Sequence, residues 1–249
     1  MRVLIQAGGG ARGERSEGAG TPWAVGQRVS LDENEVHHLR VRRAKDRESV
    51  EILDGVGLLG NGRLVQVGRQ WMVEIRSAEQ RERPPALTLA VAAGDRERFS
   101  WMVEKSVELG VTAIVPLETA RSAGVATRLK GAHLRRLRRS ALEAIKQCGV
   151  VWAPRVEEPV SLRDFVRQPL TGVGWLGDSG GRPAPPALDQ NPVTAVIGPE
   201  GGLTDGEHAS LVAAGYTPVA FGSHTLRFET AALAAAAAAT QARMRGQHD

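Results

Sequence analysis

The chain has 249 residues, 42% of them apolar and 24% charged, which suits one large folded domain or two modest ones and leaves disorder no default claim. No window approaches the roughly 18 consecutive apolar residues of a membrane span. Met1-Arg2-Val3-Leu4-Ile5 runs straight into glycines and charges, unlike a signal peptide, and the single Cys148 excludes an internal disulfide framework and a cysteine-cluster metal site. A cytoplasmic protein with no membrane segment and no metal is expected.

In chain order, residues 1–77 read as β-rich. Residues 8–20 hold six glycines and no apolar periodicity, so a loop is expected there. Gln27-Arg28-Val29-Ser30-Leu31, Ser49-Val50-Glu51-Ile52-Leu53 and Leu64-Val65-Gln66-Val67 alternate polar and apolar positions between glycine turns, as in a small barrel or sandwich. Gly55-Val56-Gly57-Leu58-Leu59-Gly60 matches a dinucleotide-binding fingerprint. That fingerprint needs a helix directly after it, whereas Asn61-Gly62 leads into another strand, so a hairpin turn is the better account. Residues 78–86, charged and proline-bearing, read as a linker.

From residue 87 to 249 strand and helix alternate. Leu87-Thr88-Leu89-Ala90-Val91 is a strand; residues 97–109 place Phe99, Met102, Val103, Ser106 and Val107 on one helical face, with Gly110 as a C-terminal cap. Residues 112–117 form the next strand. A basic helix follows, with Leu134, Leu137, Ala141, Ile145 and Cys148 inward. Residues 128–146 hold Arg128, Lys130, Arg135, Arg136, Arg138, Arg139 and Lys146 against the lone acid Glu143. Only four of the 32 basic residues are lysines, and the planar fork of arginine suits phosphate. The stripe therefore reads either as a phosphate footprint or as a solvated helix face. A short helix (162–167), a strand (174–177), the run Val193-Thr194-Ala195-Val196-Ile197, a helix over 204–214 with a Thr204/Glu207 capping box, a strand (218–221) and an alanine-rich helix (229–245) complete the chain. Such alternation predicts an α/β fold with a mostly parallel sheet covered on both faces.

Two glycine loops carry the chemistry. Ile197-Gly198-Pro199-Glu200-Gly201-Gly202 follows a buried strand and precedes the capped helix. Its three glycines let backbone approach a ligand at the C-terminal strand ends, where α/β ligand sites lie, and Gly201→Val is expected to abolish binding there. A plain tight turn is the alternative. The second loop is Phe221-Gly222-Ser223-His224-Thr225-Leu226-Arg227-Phe228-Glu229-Thr230-Ala231. Arg227 at a helix start opposes the helix dipole, which points to a purpose other than capping, whereas Glu229 suits that dipole as a mere cap.

Together the two loops resemble those of the knotted SPOUT methyltransferases, and more narrowly the bacterial family that methylates N3 of a uridine in 16S ribosomal RNA of the small subunit. Glu104-Lys105-Ser106-Val107-Glu108-Leu109-Gly110-Val111 with Pro116, then Ala120-Arg121-Ser122, and Glu143-Ala144-Ile145-Lys146-Gln147-Cys148 with Pro154 are similar to that family's further signatures. His37-His38-Leu39-Arg40-Val41-Arg42-Arg43 with Asp54-Gly55 is similar to its N-terminal PUA-like barrel. The family's usual lysine near Ala93, arginine near Val150, arginine at His224 and isoleucine at Thr225 are absent.

The resemblance implies a PUA-like β-barrel RNA-binding domain over 1–77 and a trefoil-knot α/β methyltransferase domain over 87–249. It implies an obligate homodimer and a site for S-adenosylmethionine. That site would be formed by Leu176, Gly177, Ile197, Gly198, Pro199, Glu200, Gly201, Gly202, Phe221, Gly222, Ser223, Thr225, Leu226 and Arg227. Arg227 is the expected substrate contact and Glu229 a candidate base. His38, Arg40, Arg42, Arg43, Arg121, Arg135, Arg136 and Arg139 are the expected RNA contacts. Two other readings stay open at this point: a methyltransferase of the same fold acting on transfer RNA or a ribose hydroxyl, and a non-catalytic RNA-binding protein.

Overall fold

A computed structural model describes residues 1–5, 23–68, 70–92, 94–122, 124 and 129–246; the glycine-rich stretch 8–20, Ala93 and Arg128 lie outside them. The chain divides into two compact units, Met1–Arg83 with Ile145–Ala153, and Pro84–Ala144 with Pro154–Asp249.

The first unit is a five-stranded sheet in the order β1-β3-β4-β5-β2. β1 (Arg2–Leu4) pairs parallel with β3 (Ser49–Leu53), and β4 (Leu58–Val67), β5 (Gln70–Gln80) and β2 (Arg28–Ser30) continue antiparallel. Ile52, Leu58, Leu64, Val73 and Ile75 alternate with polar positions and form the core with Trp23 and Leu39. The barrel expected here is not formed among the described residues. Closure needs every strand to share tilt and register around a ring; β1 and β2 are three-residue edges with no pairing to each other, and the sheet is open. The segment holding His37 to Val41 is a helix, α1 (Glu33–Val41), rather than barrel strand. Asp32 caps it by accepting from the Glu35 amide, and only Glu35 and Leu39 are buried. Gly55 to Gly60 form no helix: Asp54 Oδ1 accepts the Val56 and Leu58 amides, turning β3 into β4. β5 runs three residues into the expected 78–86 linker. Ile145–Ala153, assigned by sequence to the second domain, clusters here for polar reasons. Lys146 Nζ bonds Glu35 Oε1 at 2.6 Å with both side chains buried, and Arg2 Nη1 donates to the Lys146 and Gln147 carbonyls.

The second unit is a parallel sheet in the order β12-β10-β11-β6-β7-β8, with β9 also on β7. Its strands are β6 (Leu87–Ala92), β7 (Ala113–Glu118), β8 (Arg155–Val156), β9 (Val160–Ser161), β10 (Val173–Pro183), β11 (Val193–Ile197) and β12 (Thr217–Ala220). The helices are α2 (Arg96–Glu108), α3 (Ala132–Cys148), α4 (Leu162–Phe165), α5 (Asp205–Ala213) and α6 (Phe228–Gly246). β11 and β6 are buried along almost their whole length, as central parallel strands must be. Ala232, Ala235, Ala236, Ala239 and Ala242 line one face of α6, spaced by three and four, and that face packs on α2, β6 and β11. Among the described residues no helix is long and apolar enough to cross a membrane.

Candidate cofactor and RNA site

Parallel pairing brings three strand ends side by side. Leu176 on β10 is in register with Val196 on β11 and Pro218 on β12, so the chain leaves all three at one edge of the sheet. Gly177 lies between the next residues of its neighbours: a Cβ there would stand 2.8 Å from Ile197 Cδ1 and 3.6 Å from Phe221 Cε2. Phe221 in turn packs on Trp175, ring centroids 5.8 Å apart. Leu176, Gly177, Ile197, Gly198, Phe221 and Gly222 are thus neighbours, though three separate segments supply them.

Each loop is held in a defined shape. Pro199 accepts from the Gly202 amide at 2.8 Å, and Gly202 takes φ +71°, a conformation that favours glycine. Gly201 has no such requirement. Arg121, expected on RNA, donates from Nη1 to the Gly201 carbonyl and at 3.5 Å to that of Leu203. Behind this loop the predicted capping box is complete: Thr204 Oγ1 accepts the Glu207 amide, and Glu207 Oε2 accepts the Thr204 amide. Glu207 Oε1 also accepts the Ala120 amide at 2.7 Å. Burial pushes the Glu207 carboxyl up, but the Thr204 and Ala120 amides, the Thr204 hydroxyl and Arg121 together hold it below its ordinary value. In the second loop Gly222, Ser223, His224, Thr225 and Arg227 are exposed and Phe221 and Leu226 half-buried. Arg227 immediately precedes α6, and its carbonyl accepts the Ala231 amide. Two residues on, Glu229 is buried, with Oε2 lacking any hydrogen-bond partner.

Sequence reasoning missed two groups. Arg98 on α2 reaches both loops: its Nη1 lies 3.5 Å from Glu200 Oε1 and 3.5 Å from Glu229 Oε1. Directly after Gly177, Asp178 meets His208 Nε2 at 3.0 Å; the Gly180 amide and His208 hold its carboxyl below the ordinary range. An arginine one turn into a helix and a histidine on another carry no local pattern that marks such contacts.

The expected RNA contacts fall into both units. In the first, His38 and Arg40 are exposed on α1, and Arg42 and Arg43 on its C-terminal side. Arg43 takes φ 54°, and Arg47, which sequence reasoning did not single out, takes 63°. These are left-handed positions that glycine or asparagine fills more cheaply. In the second unit, Arg135, Arg136 and Arg139 are exposed on α3 and Leu134, Leu137 and Ala141 buried. Arg138 is spent otherwise, its Nε donating to the Val156 carbonyl at 2.9 Å. Among the described residues no cluster of three or more histidine, cysteine or acidic side chains could hold a metal.

Comparison with known proteins gives this geometry a family. A model of the RNA methyltransferase domain matches residues 81–240. A ribosomal RNA small subunit methyltransferase E from Synechocystis sp. is 34% identical over 216 residues, spanning 82% of this chain and 69% of that one. Its namesake from Aquifex aeolicus is 30% identical over 83% of this chain and 91% of its own. The crystal structure of a ribosomal RNA small subunit methyltransferase E from Neisseria gonorrhoeae, bound to S-adenosylmethionine, superposes with a TM-score of 0.76 at 28% identity, covering 95% of each chain. The chain belongs to the RNA methyltransferase family, among relatives named ribosomal RNA small subunit methyltransferase E.

Proposed function

We propose that this chain methylates N3 of a uridine in 16S ribosomal RNA of the small subunit, with S-adenosylmethionine as donor. The observation that carries the reading is the convergence of both glycine loops on three adjacent strand ends, with an exposed arginine and a buried carboxylate at the start of α6. The donor set fits such a ligand. Gly177, Gly201, Gly202 and Gly222 leave room for backbone approach; Leu176, Ile197, Phe221 and Leu226 offer apolar surface for an adenine. Gly198, Pro199, Glu200, Ser223, Thr225 and Arg227 complete the set. When bound, the cofactor supplies a methyl group already activated on a sulfonium. The protein's own task is to align the acceptor nitrogen and manage its proton. The uracil imide must lose that proton; the unpartnered Oε2 of Glu229 is placed to accept it. Arg227, without a side-chain partner among the described residues, is placed to balance the developing negative charge.

In the same reading the first unit, with His38, Arg40, Arg42 and Arg43, and the face of α3 with Arg135, Arg136 and Arg139 grip RNA phosphates, and Arg121 joins them from the loop edge. A PUA-like relationship of the open sheet, domain bounds of 1–77 and 87–249, a homodimer, a cytoplasmic location and a trefoil knot belong to this reading as well. The passage of α6 from the β12 edge back across β11 and β6 supports the knot. Undermethylated small ribosomal subunits incubated with the protein and labelled cofactor should acquire 3-methyluridine, read by mass spectrometry of the digested nucleosides. A different modified nucleoside would replace the substrate assignment. No incorporation, with the cofactor demonstrably bound, would overturn it.

A further inference from the structure

We infer that Arg98 is a positioning residue for methyl transfer, coupling the first glycine loop to the start of α6 through the carboxylates of Glu200 and Glu229. The inference rests on the reading above.

Both carboxylates approach the same Nη1 at 3.5 Å, so one cation sits between two anions instead of bonding tightly to either. The two anions belong to different loops: Glu200 follows β11, whereas Glu229 begins α6. Without a cation between them they would repel each other at the place where the loops must lie together. The environment makes that matter more for Glu229, whose side chain is 9% exposed against 52% for Glu200. A buried carboxylate that loses its counter-charge is costly.

An apolar link runs alongside the polar one. Phe99, the next residue of α2, stacks on Phe228, the residue before Glu229, with ring centroids 6.4 Å apart. Gly94, two residues before α2, is equally close: a Cβ there would stand 2.9 Å from Phe228 Cε1 and 3.5 Å from Glu200 Oε2. The first turn of α2 therefore touches both loops, and Asp95 fixes that turn by accepting the Glu97 and Arg98 amides. The charged groups around Glu229 are Arg98 from α2, Glu200 from the loop after β11 and Arg227 from its own helix start. Arg98 is the one cation tied by distance to both acids among the described residues. Its place is behind the loops, so it works through them and not on the RNA.

A double-mutant cycle tests this. Calorimetry with S-adenosylmethionine and steady-state turnover on small subunits are measured for the wild type, Arg98→Met, Arg98→Lys, Glu229→Gln and Arg98→Met/Glu229→Gln. Arg98→Met is expected to weaken cofactor binding about fivefold or more and to lower kcat further, while KM for the RNA substrate stays within about twofold. Arg98→Lys should recover much of the loss. In the Glu229→Gln background the Arg98→Met effect should shrink, because the acid it serves is gone. Additive effects, or a rise confined to the RNA KM, would overturn the inference; the latter would make Arg98 a phosphate contact. If Arg98→Met melts too early to assay, Arg98→Lys and the isosteric Glu229→Gln decide by the same readouts. If the wild type binds cofactor yet methylates no ribosomal RNA, the substrate reading fails and the calorimetric arms still judge Arg98.

Discussion

His133, at the start of α3, is buried, and neither ring nitrogen has a hydrogen-bond partner. Burial first, then the charges of Arg96 and Arg136, push its pKa below the ordinary value. The fold therefore favours the neutral imidazole. Its contribution to stability is complete above the unfolded value of 6.5 and is lost as pH falls through it, since the unfolded chain then binds a proton that the folded one resists. The melting temperature should drop between pH 7.5 and 5.5, and His133→Leu should flatten that drop, as scanning calorimetry at both pH values would reveal; an equal slope in the variant would assign it to other groups. A second residue-scale prediction revises an expectation drawn from sequence. Gly201→Val was the change expected to abolish cofactor binding, but the residue with φ +71° is Gly202. Gly202→Ala should cost about 1–2 kcal/mol of local strain and weaken cofactor binding. Gly201→Ala should be milder, since its Cβ would meet only Arg121 Cδ at 3.4 Å, an ordinary contact. Calorimetry on the two variants ranks them. A Gly-Gly pair read as sequence says that one residue needs the freedom, not which.

At the level of elements, legibility followed how much each segment buries. α3 was plain in sequence because Leu134, Leu137 and Ala141 repeat at helical spacing beneath a run of arginines. α1 was not, because it buries only Glu35 and Leu39; its one clear signal was Asp32 three residues before Glu35, a capping pattern that reads as helix once it is sought. β8 and β9, two residues each, carry too little side-chain pattern to be seen at all. The arginines of α3 also divide by role in a way composition could not give. Arg135 and Arg136 project into solvent, whereas Arg138 serves the Val156 carbonyl and lies 3.8 Å from Glu158. Changing both Arg135 and Arg136 to glutamine should lower the salt slope of RNA binding by roughly 1.4–1.8 units, about 0.7–0.9 for each phosphate contact removed. The loss should be alike for cognate and unrelated RNA, because phosphate contacts carry no base information. Arg138→Gln should lower the melting temperature and leave the slope nearly as it was. If the double variant leaves affinity and slope untouched, this face is only solvated and RNA must be gripped elsewhere.

For the whole molecule, strand–helix alternation made the parallel sheet of the second unit legible, down to the edge where the glycine loops meet. Sheet order was not, since it depends on which distant segments pair, and neither was the fastening of α6. That helix is built almost wholly of alanine along its buried face, so it offers little apolar area per residue and needs other anchors. Polar groups provide them late in the helix: Thr240 Oγ1 donates to the Leu109 carbonyl at 2.7 Å, and the Ala242 carbonyl accepts the Leu188 amide. Arg243, buried, donates from Nη1 to the Pro85 carbonyl and from Nη2 to those of Ala86 and Asn191, at 2.7–3.1 Å. One side chain thereby joins the C-terminal helix to the segments leading into β6 and β11. Arg243→Met keeps the buried methylenes but leaves three carbonyls short of a donor, a loss of about 2–4 kcal/mol. Arg243→Lys should rescue little: an ammonium lacks the fork that spans the three acceptors, and the burial that already pulls the guanidinium below its ordinary value acts harder on an amine. Glu229 lies 14 residues earlier, roughly 21 Å along the helix, so cofactor affinity of the folded protein should change less than twofold. The expected signature is a lower urea midpoint and faster proteolysis of the C-terminal helix with an intact cofactor isotherm; a cofactor affinity that fell in step with stability would mean that the two ends of α6 are coupled and that its anchor is part of the site.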